Sequence, residues 1–123
     1  MRYNRAMKLP YRCLIMDHDD TVVTSTPQIH YPAHVETLKR IRPGARPVTL
    51  DEWFRKNFHP GIMGFLQDEL GFTPEEIEEE YRIWRGFTTG RTPDFFPGML
   101  EALAAFRAEG GIVTVVSHSD ADL

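Results

Sequence analysis

Three aspartates stand within four positions, directly after an apolar stretch near the start of the chain. Asp17, Asp19 and Asp20 follow the residues Cys13 to Met16. Carboxylates at this density are costly beside apolar residues unless a cation offsets their charge. In an extended chain alternate residues point the same way, so Asp17 and Asp19 can converge at the carboxyl end of a strand. Such a pair suits a divalent metal ion and a phosphate, and open α/β sheets bind ligands at that end.

A second apolar stretch, near the other end of the chain, also ends in small polar residues. Gly111 to Val116 is mostly β-branched, which predicts a strand buried on both faces, and Ser117, His118 and Ser119 follow it. We expect this strand to lie parallel to the first, beside it in one sheet.

The two strand ends together resemble a known family. Asp17-x-Asp19-x-Thr21 and the later Ser117 resemble motifs I and II of the haloacid dehalogenase superfamily, and residues 96–100 resemble its approach to motif II. The resemblance implies an α/β fold with a Rossmann-like core of parallel strands. Members carry a lysine and an acidic pair further along, so we expect these 123 residues to be the amino-terminal part of such an enzyme, truncated after the second strand.

The chemistry that this resemblance implies is phosphate ester hydrolysis through an aspartyl-phosphate. Asp17 is the expected nucleophile, and Asp19 the expected proton donor to the leaving oxygen and acceptor from water. Dehalogenases of the superfamily lack the second acid, so Asp19 favours a phosphatase or a phosphomutase. Both aspartates are expected to hold Mg²⁺, Asp17 by its carboxylate and Asp19 by its backbone carbonyl. The Ser117 hydroxyl and the His118 backbone N–H are expected to bind phosphate oxygens.

Two positions depart from the family's pattern. Asp20 stands where glycine usually follows the second aspartate, and since Asp tolerates left-handed backbone better than most residues, we expect the turn to survive. His118 stands where asparagine is usual, so only the role of its backbone N–H is carried over.

The residues between the two strands predict a helix-rich insertion, whose position resembles that of the family's C1 cap. We expect a partial core of residues 7–23 and 94–123 and a helical cap of residues 24–93. Caps of this kind close over small substrates, which favours a small phosphorylated metabolite as the substrate. Phosphoglycolate phosphatase-like members are the nearest comparison.

Sequence signals for helix starts and ends predict several separate helices within the insertion. Tyr31 to Ile41 has helical spacing, and Ile62 to Leu70 predicts another helix that Gly71 ends. The capping boxes Thr49 to Glu52 and Thr73 to Glu76 predict two further helix starts. The side chains expected to face inward are Trp53, Phe54, Phe58, Ile77, Tyr81 and Trp84.

Charged residues of the insertion are expected to lie mostly in solvent. This applies to the acidic run from Glu75 to Glu80 and to the basic residues Lys39, Arg40 and Arg42. His30 and His34 have the spacing of two metal ligands on one helix face, but no third ligand is evident. We therefore expect them to be exposed or to face a substrate.

The composition indicates which cellular compartment and which binding partners to expect. The net charge of -4 and the pI near 5.7 provide no electrostatic reason to expect nucleic acid or an anionic membrane as a partner. The single cysteine, Cys13, excludes an internal disulfide and is expected to be buried. No apolar stretch predicts a signal peptide or a membrane span, so we expect a cytoplasmic protein. Self-association is expected through an exposed edge of the first strand.

Other classes of protein fit the residues less well. An EF-hand loop beginning at Asp17 would place Val22 where glycine is needed and Gln28 where glutamate is needed. A receiver domain also gathers acids after its first strand, but its next strands follow without a long helical insertion. A non-catalytic remnant or binding module remains the alternative to an enzyme.

Overall fold

The computed structural model describes residues 10–119, which form two compact units. Residues 10–24 and 94–119 make up the first, here called the sheet unit, and Ser25–Pro93 make up the second, the helical unit. Together they contain a two-stranded parallel sheet and several helices, so the predicted α/β class is confirmed. Within residues 10–119, no helix is long and apolar enough to cross a membrane.

Two parallel strands and one helix form the sheet unit. Strand β1 is Cys13–Met16 and β2 is Ile112–Val115, paired in parallel with Met16 opposite Val115. Helix α5, Met99–Ala108, precedes β2 and begins after Gly98, whose φ of 79° suits glycine. The chain then turns tightly into β2, because the Gly111 N–H donates to the Phe106 carbonyl at 3.0 Å.

The strands are less buried than their apolar sequences predict. Ile112 is 61% exposed and Val115 is 53% exposed, so the expectation that the second strand is buried on both faces is wrong for the described residues. Ile15 of β1 is 71% exposed. Cys13 is exposed as well, which corrects its predicted burial. The physical reason is coverage, since two strands and the single helix of this unit shield only part of each strand within residues 10–119.

Four α-helices, numbered α1 to α4, build the helical unit, with three wider π-helical turns among them. Their bounds are α1 Tyr31–Ile41, α2 Leu50–Lys56, α3 Ile62–Gly64 and α4 Pro74–Gly90. The wider turns are Thr26–His30 before α1, Asn57–Gly61 before α3 and Phe65–Glu69 after α3. The bounds of α1 match the predicted helix.

Both predicted capping boxes are confirmed. The Thr49 hydroxyl accepts from the Glu52 N–H at 3.3 Å, and the Thr73 hydroxyl accepts from the Glu76 N–H at 3.2 Å. Each glutamate in turn accepts from the backbone N–H of its threonine, at 2.9 Å in both boxes. These bonds satisfy N–H groups that would otherwise lack partners at the first turn of α2 and of α4.

Aromatic and aliphatic side chains close the core of the helical unit. Its buried members are Leu38, Trp53, Phe65, Leu66 and Phe72. The Trp53 and Phe65 rings meet edge to face with centroids 6.0 Å apart, an arrangement that aromatic quadrupoles favour.

Two positions in this unit differ from the sequence-based expectations. Phe58 is 87% exposed, because it follows the end of α2 and the chain leaves helical geometry at His59. Tyr81 is also exposed, and Ile83 takes the buried position on α4 instead.

Arg42 joins three segments of the helical unit. Its guanidinium donates to both carboxylate oxygens of Glu76, at 2.9 and 2.6 Å, and to the carbonyls of Leu70 and Gly71. It also lies 4.8 Å from the centre of the Phe72 ring. The expectation of a solvated Arg42 is therefore wrong, and the residue ties the end of α1 to the start of α4.

Candidate functional site

Parallel pairing brings the polar ends of β1 and β2 to the same edge of the sheet. Met16 is opposite Val115, and the Val116 N–H donates to the Met16 carbonyl at 2.8 Å, which extends the ladder by one bond. Asp17 and Ser117 are therefore each close to the last bond of the ladder. The parallel arrangement predicted for the two strands is confirmed.

A tight turn follows β1 and Asp17. The His18 carbonyl accepts from the N–H groups of Thr21, Val22 and Val23 at 3.0 to 3.3 Å. Asp20 has a φ of 54°, so aspartate adopts the left-handed backbone here, as predicted for this position.

The Asp17 carboxylate is held on one side only. Its Oδ2 accepts from the Thr21 hydroxyl at 3.0 Å. In the described part of the chain Oδ1 has no hydrogen-bond donor, and the residue is exposed. An oriented carboxylate with one open oxygen is able to act as a nucleophile or as a metal ligand.

Asp19 is connected to the loop after β2 through Ser119. The Ser119 hydroxyl donates to Asp19 Oδ2 at 2.9 Å, while the His18 Nδ1 lies 3.4 Å from Asp19 Oδ1. The Ser119 N–H donates to the Ser117 hydroxyl oxygen at 3.0 Å. Sequence reasoning gave Ser119 no role. A serine two positions after another polar residue signals a local turn, but its long-range partner is not legible in the chain.

Ser117 and His118 are exposed beside these carboxylates. The Ser117 oxygen accepts from the Ser119 N–H, which leaves its own O–H proton able to donate elsewhere. Among residues 10–119, the His118 N–H has no hydrogen-bond acceptor. Two donors at the end of β2 are thus able to bind an anion.

The residues after β1 and β2 supply only some of the ligands that a metal ion needs. Asp17 offers a carboxylate oxygen and Asp19 a backbone carbonyl oxygen, and oxygen ligands are those that Mg²⁺ prefers. Within the described residues, however, no group of three or more His, Cys, Asp or Glu side chains is placed to hold a metal ion. The donor chemistry of the two aspartates fits a hard divalent cation, and their number supplies part of its octahedron.

His30 and His34, both in the helical unit, do not form a metal pair. His34 is fully buried and stacks on Trp53 with centroids 4.2 Å apart, and burial lowers its pKa to about 4. His30 accepts a hydrogen bond at Nδ1 from the Trp84 Nε1–H at 2.9 Å. The expectation that His34 is exposed or faces a substrate is wrong, since packing between α1 and α2 encloses it.

Glu80 departs from the solvated acidic face predicted for the start of α4. Burial raises the pKa of its carboxyl to about 7. Glu76 behaves in the opposite way, because its bonds with Arg42 and with the Thr73 N–H lower its pKa to about 2. The pKa values of these two glutamates on the same helix therefore differ widely.

A groove of about 330 Å³ lies on the helical unit between α1 and α4. Its lining residues are Arg40, Glu79, Arg82, Ile83, Gly86 and Phe87. Both arginines are paired with carboxylates on their own helices, Arg40 with Glu36 at 2.7 Å and Arg82 with Glu79 at 2.8 Å. The groove therefore offers a phosphate less net positive charge than its arginines suggest.

Comparison with known proteins supports the fold. No family model matches the chain, and no curated protein matches it. A solved structure, described as a "Putative Phosphatase from Clostridium difficile", is similar with a TM-score of 0.67 at 17% sequence identity. The similarity covers 89% of this chain and 50% of that one, so the chain spans half the length of the structure it matches. At this identity the likeness concerns the fold.

Proposed function

We propose that this chain is the amino-terminal part of a magnesium-dependent phosphatase of the haloacid dehalogenase type, which hydrolyses a small phosphorylated metabolite. The observation that carries the proposal is that Asp17 and Ser117 follow the ends of two paired parallel strands, where Ser119 links Asp19 to Ser117. The fold similarity to a protein described as a phosphatase supports the same reaction class.

Asp17 is assigned the nucleophilic role, because its Oδ2 is anchored by Thr21 and its Oδ1 is open. Its carboxylate attacks the phosphorus, the bond to the substrate oxygen breaks, and Asp19 gives its proton to that oxygen. Water then attacks the aspartyl-phosphate, Asp19 takes a proton from the water, and phosphate and the Asp17 carboxylate are released. Asp19 suits both steps because, having given up its proton in the first, it is a carboxylate that can accept a proton in the second.

The anion is bound by donors from the loop after β2. The Ser117 hydroxyl and the His118 N–H would donate to phosphate oxygens as negative charge develops on them. Asp17 and Asp19 would hold Mg²⁺, which offsets the repulsion between these carboxylates and the phosphate. The helical unit would serve as a cap that excludes water from a small substrate.

A non-catalytic binding module is the second candidate. The observation that favours it is the incomplete set of metal-ligating side chains among residues 10–119. The same observation leads us to expect negligible hydrolysis of p-nitrophenyl phosphate by these 123 residues on their own. Robust Mg²⁺-dependent turnover that Asp17→Asn abolishes would show that the site is complete. A phosphomutase would use the same residues but transfer the phosphoryl group to a substrate hydroxyl instead of to water.

Calorimetric titration with Mg²⁺ tests the metal site in the 123-residue protein. We expect weak binding that is lost in the variant carrying Asp17→Ala and Asp19→Ala, because this variant lacks the Asp17 ligand oxygen and the negative charge of both side chains. The matched control carries Asp51→Ala and Asp68→Ala, two exposed aspartates of the helical unit, and should bind as the parent does. Undiminished binding in the first variant would remove the basis of the proposal.

A further inference from the structure

Ser119 makes two hydrogen bonds that converge on residues of the candidate site. Its hydroxyl donates to Asp19 Oδ2 at 2.9 Å, and its N–H donates to the Ser117 oxygen at 3.0 Å. The first bond joins residues 100 positions apart, across the ends of β1 and β2. The second lies within the loop after β2.

We propose that Ser119 is the positioning residue of the site, which holds the Asp19 carboxylate and the Ser117 hydroxyl in register with each other. This inference rests on the proposed function, since it assigns how the proton-transfer group and the anion-binding group of that reaction are aligned. Ser119 acts through these two neighbours and has no assigned contact with a substrate.

One serine can hold both neighbours because it has two hydrogen-bond donors, its hydroxyl and its backbone N–H. The Ser119 hydroxyl has one proton, and its donation to Oδ2 restrains rotation of the Asp19 carboxylate. The Ser117 oxygen accepts from the Ser119 N–H, which leaves the Ser117 proton able to donate to another acceptor. Once Asp19 has given up its proton, the bond is to a charged carboxylate, and such bonds are among the stronger ones available to a serine.

A purely local role for Ser119 would have a different signature. If Ser119 only shaped the turn after β2, its N–H would suffice, and the hydroxyl would be dispensable. Ser119→Ala separates the two roles, because alanine keeps the N–H bond to Ser117 and loses the bond to Asp19. Ser119→Thr keeps both donors and is the matched control. Ser119 is exposed, so neither change removes core packing.

The first measurement needs no ligand and uses the 123-residue protein. In amide and side-chain NMR spectra, we expect the Asp19 signals to move in Ser119→Ala and to stay near their original positions in Ser119→Thr. In an Asp19→Ala background, Ser119→Ala should produce no further change in the loop after β1. Unchanged Asp19 signals in Ser119→Ala would overturn the proposal, whether or not the protein binds phosphate.

The second measurement is the affinity for inorganic phosphate in saturating Mg²⁺. We expect Ser119→Ala to weaken binding about tenfold, the effect of losing one good hydrogen bond, and Ser119→Thr to stay within about twofold of the parent. Equal weakening by both variants would contradict a role for the hydroxyl. Absence of phosphate binding in the parent protein would count against the proposed function, while the Asp19 signals would still decide the positioning role.

Discussion

The helical unit and the sheet unit treat their apolar residues in opposite ways. Leu66 of the helical unit is 1% exposed, within a closed cluster of aromatic and aliphatic side chains. Leu100 of the sheet unit is 53% exposed, and so is Val115. Apolar sequence therefore does not by itself imply burial. What decides it is whether the surrounding elements cover the side chain, and the described residues do so in one unit and not in the other.

The largest contrast should come from the same substitution made in each unit. Leu66→Ala removes buried methyl groups and leaves a cavity, so we expect it to lower the free energy of unfolding by about 2–5 kcal/mol. Leu100→Ala removes a half-exposed side chain and should cost less than about 1 kcal/mol. Urea unfolding followed by circular dichroism measures both. Equal losses would mean that the sheet unit is as well packed as the helical unit.

The half-buried carboxyl of Glu80 should make the helical unit less stable as pH rises. Its folded pKa of about 7 lies above the ordinary value of 4.5, so the contribution is full below pH 4.5 and is lost as pH rises through 7. Glu80→Gln should remove this loss, by up to about 3 kcal/mol at pH 8, and change little at pH 4. Fluorescence of Trp53 and Trp84, both in this unit, reports its unfolding.

A matched control and an opposing group sharpen the pH experiment. Glu78→Gln alters an exposed carboxylate on the same helix and should leave the pH dependence unchanged. His34 acts in the other direction, because its folded pKa of about 4 lies below 6.5, so its contribution is present above pH 6.5 and is lost as pH falls through 4. A parent and a Glu80→Gln profile of the same slope would contradict the raised pKa of Glu80.

The start of α4 offers a smaller effect on the helical unit. Thr73→Ala removes the hydroxyl that accepts from the Glu76 N–H, so we expect a loss of about 1 kcal/mol in unfolding free energy. Thr73→Ser keeps the capping oxygen and should restore most of it. The same urea titration measures both variants, and an equal loss in both would show that the cap contributes through something other than its hydroxyl.

Exposed strand residues should affect association more than stability. We expect the 123-residue protein to self-associate through its sheet unit, and Ile112→Lys to suppress this while changing the unfolding free energy by about 0.5 kcal/mol or less. Light scattering over a dilution series follows the association. Thr114→Lys, an exposed polar position on the same strand, is the comparison. A parent protein that stays monomeric at high concentration would refute the expectation.

Much of the local structure was predictable because local hydrogen bonds create it. The helix Tyr31–Ile41 and the two threonine capping boxes depend on residues within four positions of each other, and the structure contains them as predicted. The left-handed Asp20 follows from an equally local signal, the backbone preference of Asp, and the β-branched stretch ahead of Ser117 predicts the second strand. On these grounds the sequence by itself located the aspartate cluster and the strand ends.

Tertiary structure alone decided which side chains those elements cover or connect. The chain contains no local signal that Ser119 donates to Asp19, that His34 stacks on Trp53, or that Arg42 pairs with Glu76. Burial misled in the same way, since the exposed Cys13 and Phe58 look like core residues in sequence. The physical reason is that capping and backbone preferences involve neighbours along the chain. Burial and long-range hydrogen bonds depend on partners that only folding brings near.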